Sequence, residues 1–173
     1  MTMLTVIQYD LHPNEEQREA LLGLCADYAD LRNRMLGAVS QYTMVDIETL
    51  SAAVNELLDG EDGIPTRYVS LAERSVIWHL KRNPEVKFDA WYSVDLDVAV
   101  ATPTLVGTLP DNPRLAMSIK CFHTKKRERL VVPCSWKTMP NMAPASKIGG
   151  AVLQHDNGYD WTVLVTVEVP SDN

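Results

Sequence analysis

Residues 150–169 read Gly-Ala-Val-Leu-Gln-His-Asp-Asn-Gly-Tyr-Asp-Trp-Thr-Val-Leu-Val-Thr-Val-Glu-Val. Two apolar runs, 150–155 and 160–169, flank the dipeptide Asn157-Gly158. Asn-Gly between such runs is the strongest short-range signal for a β-hairpin, because both residues accept the positive φ angles of a tight turn. The sequence therefore predicts a hairpin here.

Further segments rich in β-branched residues predict more strands, at 3–10, 94–101, 115–122 and 129–136. Five or six short strands, one of them far from the others in sequence, favour a small barrel or curled sheet. In that arrangement, the opening strand pairs with the hairpin of 150–169.

Three helices are predicted between the first strand and the later ones. The first runs over roughly 15–42, begins after the N-cap Asn14 with Gln17 in a capping box, and carries one apolar stripe. The second covers Val45 to Leu58. Ser70 and Glu73 have the spacing of another capping box, which predicts a third helix that ends near Arg82. The stripe on the first helix consists of Leu21, Leu24, Tyr28, Leu31, Met35, Ala38 and Tyr42.

The predicted fold class is α+β, a small antiparallel β-barrel of the oligonucleotide-binding or wedge type with a helical insert after the first strand. The barrel takes residues 1–12 and 86–173, and the insert takes 13–85. A chain of 173 residues can bury an adequate core without disulfide or metal staples. Its three cysteines form no CxxC pair, and no apolar run is long enough to cross a membrane. We expect a cytoplasmic protein that does not contact a membrane.

Charge is distributed unevenly along the chain, whose net charge is -7. Residues 1–112 contain 8 basic and 18 acidic residues, a balance of -10, whereas residues 113–147 contain 8 basic residues and one acidic residue, a balance of +7. The acidic total opposes indiscriminate binding of nucleic acid. The basic segment favours a local contact with phosphates, although a solvated surface would have the same composition.

Cations and rings alternate in this segment. Lys120 and Phe122 have the period-two spacing of one strand face, and the run from Thr124 to Glu128 is predicted as a turn at its end. Cations attract phosphates, and planar rings stack on unpaired bases. The candidate nucleic-acid-binding residues are Arg114, Lys120, Phe122, His123, Lys125, Lys126, Arg127, Arg129, Lys137 and Lys147.

Signals for catalysis or metal binding are weak. Asp95 and Asp97 would share one strand face and could begin a magnesium site, but no third ligand is apparent. Cys121 and His123 could begin a zinc site, with Cys134 and His155 elsewhere, but the tight ligand pairs of a structural zinc are missing. His79 lacks a marked partner for general-base catalysis. We expect no enzymatic activity, cofactor or metal.

Two segments carry a family resemblance. The first is Val6-Ile-Gln-Tyr-Asp-Leu-His-Pro-Asn-Glu-Glu-Gln17, followed by a helix with Leu31-Arg32-Asn33. The second is Arg129-Leu-Val-Val-Pro133, followed by the hairpin that ends in Val-Glu-Val-Pro170. Together they resemble the N-terminal half of the transposon-encoded RNA-guided nucleases, the TnpB proteins, and the compact type V CRISPR effectors.

The resemblance implies a wedge barrel interrupted by a helical recognition lobe, with structured RNA or an RNA–DNA heteroduplex as the partner. The candidate partner-binding residues on the first helix are Arg18, Arg32, Asn33 and Arg34. In the family, a RuvC-like nuclease domain with catalytic carboxylates and a zinc ribbon follows the hairpin, whereas this chain ends at Ser171-Asp172-Asn173. Ala29-Asp30 also replaces the family's Arg-aromatic pair, and the family is basic. Nuclease activity is therefore not expected.

Three functional hypotheses remain open. The first is a non-catalytic module that binds guide-type RNA through the basic segment. The second is an acidic inhibitor or regulator of an RNA-guided nuclease, of the anti-CRISPR type, whose helical region competes for a nucleic-acid channel. The third is a subunit that supplies wedge and lobe to a RuvC-like nuclease on another polypeptide.

Overall fold

The first strand lies at the centre of the sheet. The structure, a computed structural model, describes residues 2–106, 114–137 and 147–170. Strand β1 (Thr2–Leu11) runs antiparallel to β5 (Leu130–Lys137) on one side and to β7 (Tyr159–Pro170) on the other. The β1–β7 register extends from Thr2 opposite Pro170 to Asp10 opposite Thr162. The predicted pairing of the opening strand with the hairpin is confirmed.

The hairpin joins β6 (Lys147–Asp156) to β7. Asn157 and Gly158 have φ angles of 48° and 79°, the signs that a tight turn of type I′ needs at both central positions. The Asn-Gly signal thus predicted both the place and the kind of turn.

The remaining strands are β2 (Val94–Leu96), β3 (Ala101–Val106) and β4 (Arg114–Ile119). The sheet order is β2-β6-β7-β1-β5-β4-β3, all neighbours being antiparallel. The two edge strands are consecutive in the chain and are joined by residues 97–100, which brings the edges of the curved sheet together. The α+β class and the nearly closed small barrel are as predicted.

Two strand predictions need correction. The β-rich run 94–101 contains a turn, because the Asp97 carbonyl accepts hydrogen bonds from the amides of Val100 and Ala101 while the Asp97 carboxylate accepts one from Ala99. The run 115–122 stops being a strand after Ile119.

Helix α1 (Glu15–Ala38) begins as predicted. Asn14 accepts a hydrogen bond from the Gln17 amide, and the Gln17 side chain accepts one from the Asn14 amide. The helix ends four residues before the predicted position, where the Ser40 hydroxyl donates to the Gly37 carbonyl and satisfies a terminal acceptor. Tyr42 is therefore exposed, whereas the rest of the predicted stripe down to Met35 is buried.

Helices α2 (Ile47–Leu57) and α3 (Thr66–Leu80) complete the insert. The predicted capping box at Ser70 is wrong, because Ser70 lies inside α3 and its hydroxyl donates to the Thr66 carbonyl. The helix begins after Pro65, whose fixed φ of about -65° suits a helix start.

Helices and strands contribute to one hydrophobic core. Three rings connect them: the centroid of Tyr68 in α3 lies 5.9 Å from that of Tyr28 in α1 and 5.2 Å from that of Phe122, which follows β4. The division into a barrel of 1–12 and 86–173 and an insert of 13–85 stays a prediction. None of the helices in the described residues has the length and apolar character that spanning a bilayer requires.

Candidate nucleic-acid interface

The cations of the basic segment fall into two places. Residues 120–129, here called the cationic loop, connect β4 to β5 and contain five of them. Arg114 begins β4 and Lys137 ends β5, so both lie at the strand ends away from this loop. These cations therefore do not all lie at one end of the β4–β5 pair.

Lys120 closes the cationic loop. Its ammonium nitrogen Nζ lies 2.6 Å from the carbonyl oxygen of Lys125 and 3.2 Å from that of Glu128. The Lys125 amide in turn donates to the Glu128 carboxylate at 3.3 Å. Lys120 thus donates hydrogen bonds to two backbone carbonyls of the loop, and these bonds hold the loop in its conformation.

Arg129 fixes the C-terminal end of the cationic loop. Its guanidinium donates to the carbonyl oxygens of Ala99 and Ser118, each at 3.2 Å, which ties the loop to the β2–β3 turn and to β4. Among the residues that the structure describes, its buried Nε has no hydrogen-bond partner. Arg129 is therefore an internal anchor.

Phe122 is buried, with 6% of its surface exposed, and packs against Tyr68. The expected role of Phe122 in stacking on a base is wrong, because β4 ends at Ile119 and the chain then turns this ring into the core. The exposed His123 follows with a φ of 56°, and its amide donates to the Gly63 carbonyl at 2.6 Å. The loop is thereby docked onto the start of α3.

Lys125, Lys126 and Arg127 remain at the tip of the loop. All three are exposed, and within the described residues their side chains form no hydrogen bond or ion pair. Arg114 is exposed as well. The side chains of Lys137 and Lys147, and residues 138–146 of the basic segment, lie outside the described residues. The tip is therefore the part of the cationic loop that can meet a phosphate.

Arg32, expected to bind a partner, is 1% exposed. Its guanidinium donates to the Ser75 hydroxyl at 3.0 Å and to the Ser93 carbonyl at 3.2 Å, and it lies over the rings of Tyr28 and Phe88. Burial lowers the pKa of Arg32 from its usual value. The expectation that Arg32 binds a partner is wrong, because its guanidinium contacts four groups inside the protein.

The neighbours of Arg32 also act within the chain. Asn33 forms a reciprocal pair with the backbone of Phe88, at 2.7 and 2.9 Å. Arg34 forms an ion pair with Glu61. Arg18 donates to the Gly158 carbonyl at 2.6 Å and covers the ring of Tyr159. These residues attach α1 to the remainder of the fold.

The weak candidates for chemistry are separated by the fold. Asp95 accepts a hydrogen bond from the Tyr28 hydroxyl at 2.8 Å, whereas Asp97 lies beyond the end of β2 and pairs with Arg67. They do not form the shared face that was expected. Within residues 2–106, 114–137 and 147–170, no group of three or more His, Cys, Asp or Glu side chains is arranged to hold a metal ion.

The cysteines and histidines that were considered for zinc binding or catalysis are also accounted for by other contacts in the fold. Burial raises the pKa of Cys121 and of Cys134 to about 11, and neither thiol belongs to a group of three or more potential metal ligands within the described residues. His155 stacks on Trp161 with centroids 4.4 Å apart. His79 contacts the Ser75 carbonyl through Nδ1 at 2.8 Å and meets the ring of Phe88 edge-on.

A cavity beside α3 brings Asp95 together with Arg74 and Trp78, two residues that no sequence motif marked. It has a volume of about 640 Å³, and its lining includes Arg74, Trp78 and Asp95. Arg74 and Trp78 are four residues apart on α3, and this spacing is the sequence signal that points to a shared helix face. Comparison with protein-family models and with curated proteins found no match.

Proposed function

We propose that this protein is a non-catalytic nucleic-acid-binding module whose cationic loop contacts the phosphates of a structured RNA. The observation that carries the proposal is the exposure of Lys125, Lys126 and Arg127 on a loop whose two ends are fixed internally. Unpaired cations on a preorganised support attract phosphates without a large ordering cost.

The anchoring pattern explains why the loop suits this role. Lys120 and Arg129 bind backbone carbonyls, so the loop keeps its shape while the three tip cations stay available. A net charge of -7 repels nucleic acid elsewhere on the molecule. Binding is therefore local and strongly dependent on salt.

The fold supports the choice of partner. A small barrel with a helical insert after its first strand has the element order that the resemblance to the TnpB proteins and type V effectors implies. On that basis we propose structured RNA, or an RNA–DNA heteroduplex, as the ligand, and a separate RuvC-like nuclease as a possible protein partner. The three free, protonated thiols suit a reducing compartment, and we place the activity in the cytoplasm.

A second candidate function has its own observation. Helix α1 begins with the exposed carboxylates of Glu15, Glu16 and Glu19, which form no ion pair within the described residues. An unpaired acidic surface of this kind fits a basic channel. The alternative is therefore an inhibitor or regulator that occupies the nucleic-acid channel of an RNA-guided nuclease.

One comparison of variants separates the two functions. Replacing Lys125, Lys126 and Arg127 together with Ala should weaken binding of a structured RNA at least about tenfold in a filter-binding assay. For replacement of Lys125 and Lys126 alone, the matched control replaces the exposed lysines Lys81 and Lys87, which removes the same charge elsewhere.

Equal affinities for the two double variants would contradict the RNA-binding proposal. Protein that is purified from cells together with its bound ligand provides a second test. A high 260/280 absorbance ratio that the loop variant loses supports RNA binding. A co-purifying nuclease that survives ribonuclease treatment supports the inhibitor.

A further inference from the structure

The cavity beside α3 is built like a ligand site. About 640 Å³ lie between α3 and the sheet, with a floor that includes Val6, Val152 and Leu164 from three neighbouring strands. Val152 and Leu164 are directly opposite each other in the β6–β7 register. A mostly apolar cleft of this size with a few polar groups is typical of sites for small organic molecules.

Asp95 supplies a fixed acceptor at the cavity wall. Its Oδ2 accepts a hydrogen bond from the buried hydroxyl of Tyr28, which orients the carboxylate. Within the described residues no group donates to its Oδ1. One carboxylate oxygen of this cavity-lining residue therefore remains available to a ligand that carries an N–H donor.

Trp78 and Arg74 supply a ring and a positive charge one helical turn apart. Trp78 is 52% exposed although it lines the cavity, and the guanidinium of Arg82 lies over its ring, 3.6 Å from the centroid. Arg74 is exposed and has no hydrogen bond or ion pair within the described residues. A planar ligand ring can stack on Trp78 while an anionic group reaches Arg74.

We propose that this cavity binds a single unpaired nucleotide. The base stacks on Trp78, its exocyclic amine donates to Oδ1 of Asp95, and the phosphate pairs with Arg74. As the physiological ligand we assign an unpaired nucleotide of the bound RNA, and in this respect the inference rests on the proposed function.

The position of the cavity agrees with that ligand. Asp95 is four residues before Ala99, whose carbonyl accepts a hydrogen bond from Arg129 of the cationic loop. Four residues of chain span at most about 14 Å. An RNA strand whose base occupies the cavity can therefore continue toward the cations at the loop tip.

The acceptor also predicts a base preference. Adenine presents an amine where uracil presents a carbonyl oxygen, which the Asp95 carboxylate would repel. We expect adenosine 5′-monophosphate to bind the full chain at least about tenfold more tightly than uridine 5′-monophosphate in calorimetric titration. Asp95→Asn should reduce the preference to about twofold or less, because an amide can also donate to uracil.

Two further variants test the place of binding. Trp78→Ala should weaken adenosine monophosphate at least about fivefold, since base–aromatic stacking contributes this much or more. Trp91→Ala removes an equally exposed indole outside the cavity and should leave the affinity unchanged. If circular dichroism shows that one of these variants is unfolded, Val152→Trp is tested in its place, because it fills the cavity from the sheet side.

The outcomes distinguish this inference from the proposed function. No binding of adenosine monophosphate, equal affinities for the two nucleotides, or equal effects of Trp78→Ala and Trp91→Ala would overturn the cavity assignment, and loop-dependent RNA binding would stand. The triple loop variant should retain its affinity for the mononucleotide. If the mononucleotide binds as expected but the loop variant binds RNA as tightly as the wild type, the cavity assignment stands and the proposed function fails.

Discussion

The hydroxyl of Tyr68 in α3 donates a hydrogen bond of 2.7 Å to the carbonyl oxygen of Lys120, the first residue of the cationic loop. The Tyr68 ring also packs against Phe122, two residues further on. The loop therefore depends on the helical insert as well as on the two strands it connects. Through this contact, the packing of the insert determines where the tip cations are presented.

Tyr68→Phe tests this link. The substitution removes the donor from a fully buried site and leaves the Lys120 carbonyl without it. We expect a loss of about 1–2 kcal/mol in the free energy of unfolding, measured by urea denaturation. RNA affinity should fall as well, because the loop loses the hydrogen bond that joins Lys120 to α3. An unchanged midpoint together with unchanged RNA affinity would show that the contact is dispensable.

Arg32 should be important for stability although it was expected to bind a partner. Arg32→Ala removes a buried side chain and leaves the Ser75 and Ser93 oxygens without their donor, so we expect a loss of roughly 2–4 kcal/mol. Arg34→Ala is the matched control on the same helix, since a partly exposed ion pair with Glu61 contributes about 1 kcal/mol or less. Similar denaturation midpoints for the two variants would contradict the internal role of Arg32.

The hairpin turn predicts a contrast between two glycines. At Gly158 the φ angle is 79°, and an added Cβ would lie 3.3 Å from a guanidinium nitrogen of Arg18. Gly158→Ala should therefore cost about 1–2 kcal/mol in thermal or urea unfolding. Gly150 has open space around it, so Gly150→Ala should change stability much less. An equal cost at both positions would show that the turn conformation is not what requires glycine.

The thiol of Cys25 predicts a pH dependence. Burial raises the pKa of Cys25 from 9.0 to about 12 in the folded chain. The unfolded chain therefore releases this proton at lower pH than the folded chain, and stability falls as the pH rises from 9.0 toward about 12. Urea midpoints measured across this window should decline less steeply for Cys25→Ala than for the wild type. Parallel curves for the two proteins would exclude the thiol as a cause.

Local signals in the sequence predicted much of the fold. The Asn157-Gly158 turn and the Asn14 cap depend on residues close in sequence, and both are present. Ser70 shows the limit of such reading, because its spacing to Glu73 fits a capping box equally well inside a helix. There the Glu73 carboxylate accepts a hydrogen bond from Ser51 of α2.

The functional surfaces were harder to predict, because they depend on tertiary contacts. The composition of a basic segment does not reveal which of its cations form hydrogen bonds inside the fold. Arg129 differs from Arg127 only through contacts with distant carbonyls. The cavity was missed for the same reason. Its lining comes from α3, β1, β2, β6 and β7, which only the folded chain brings together.

The most direct test of the central claim is the salt dependence of affinity for a structured RNA. If Lys125, Lys126 and Arg127 each contact a phosphate, the slope of log affinity against log salt should be smaller by about 2–3 in the triple alanine variant than in the wild type. Replacement of Lys81 and Lys87, the matched control for Lys125 and Lys126, should leave the slope unchanged. Identical slopes and affinities for the wild type and the loop variant would contradict the account.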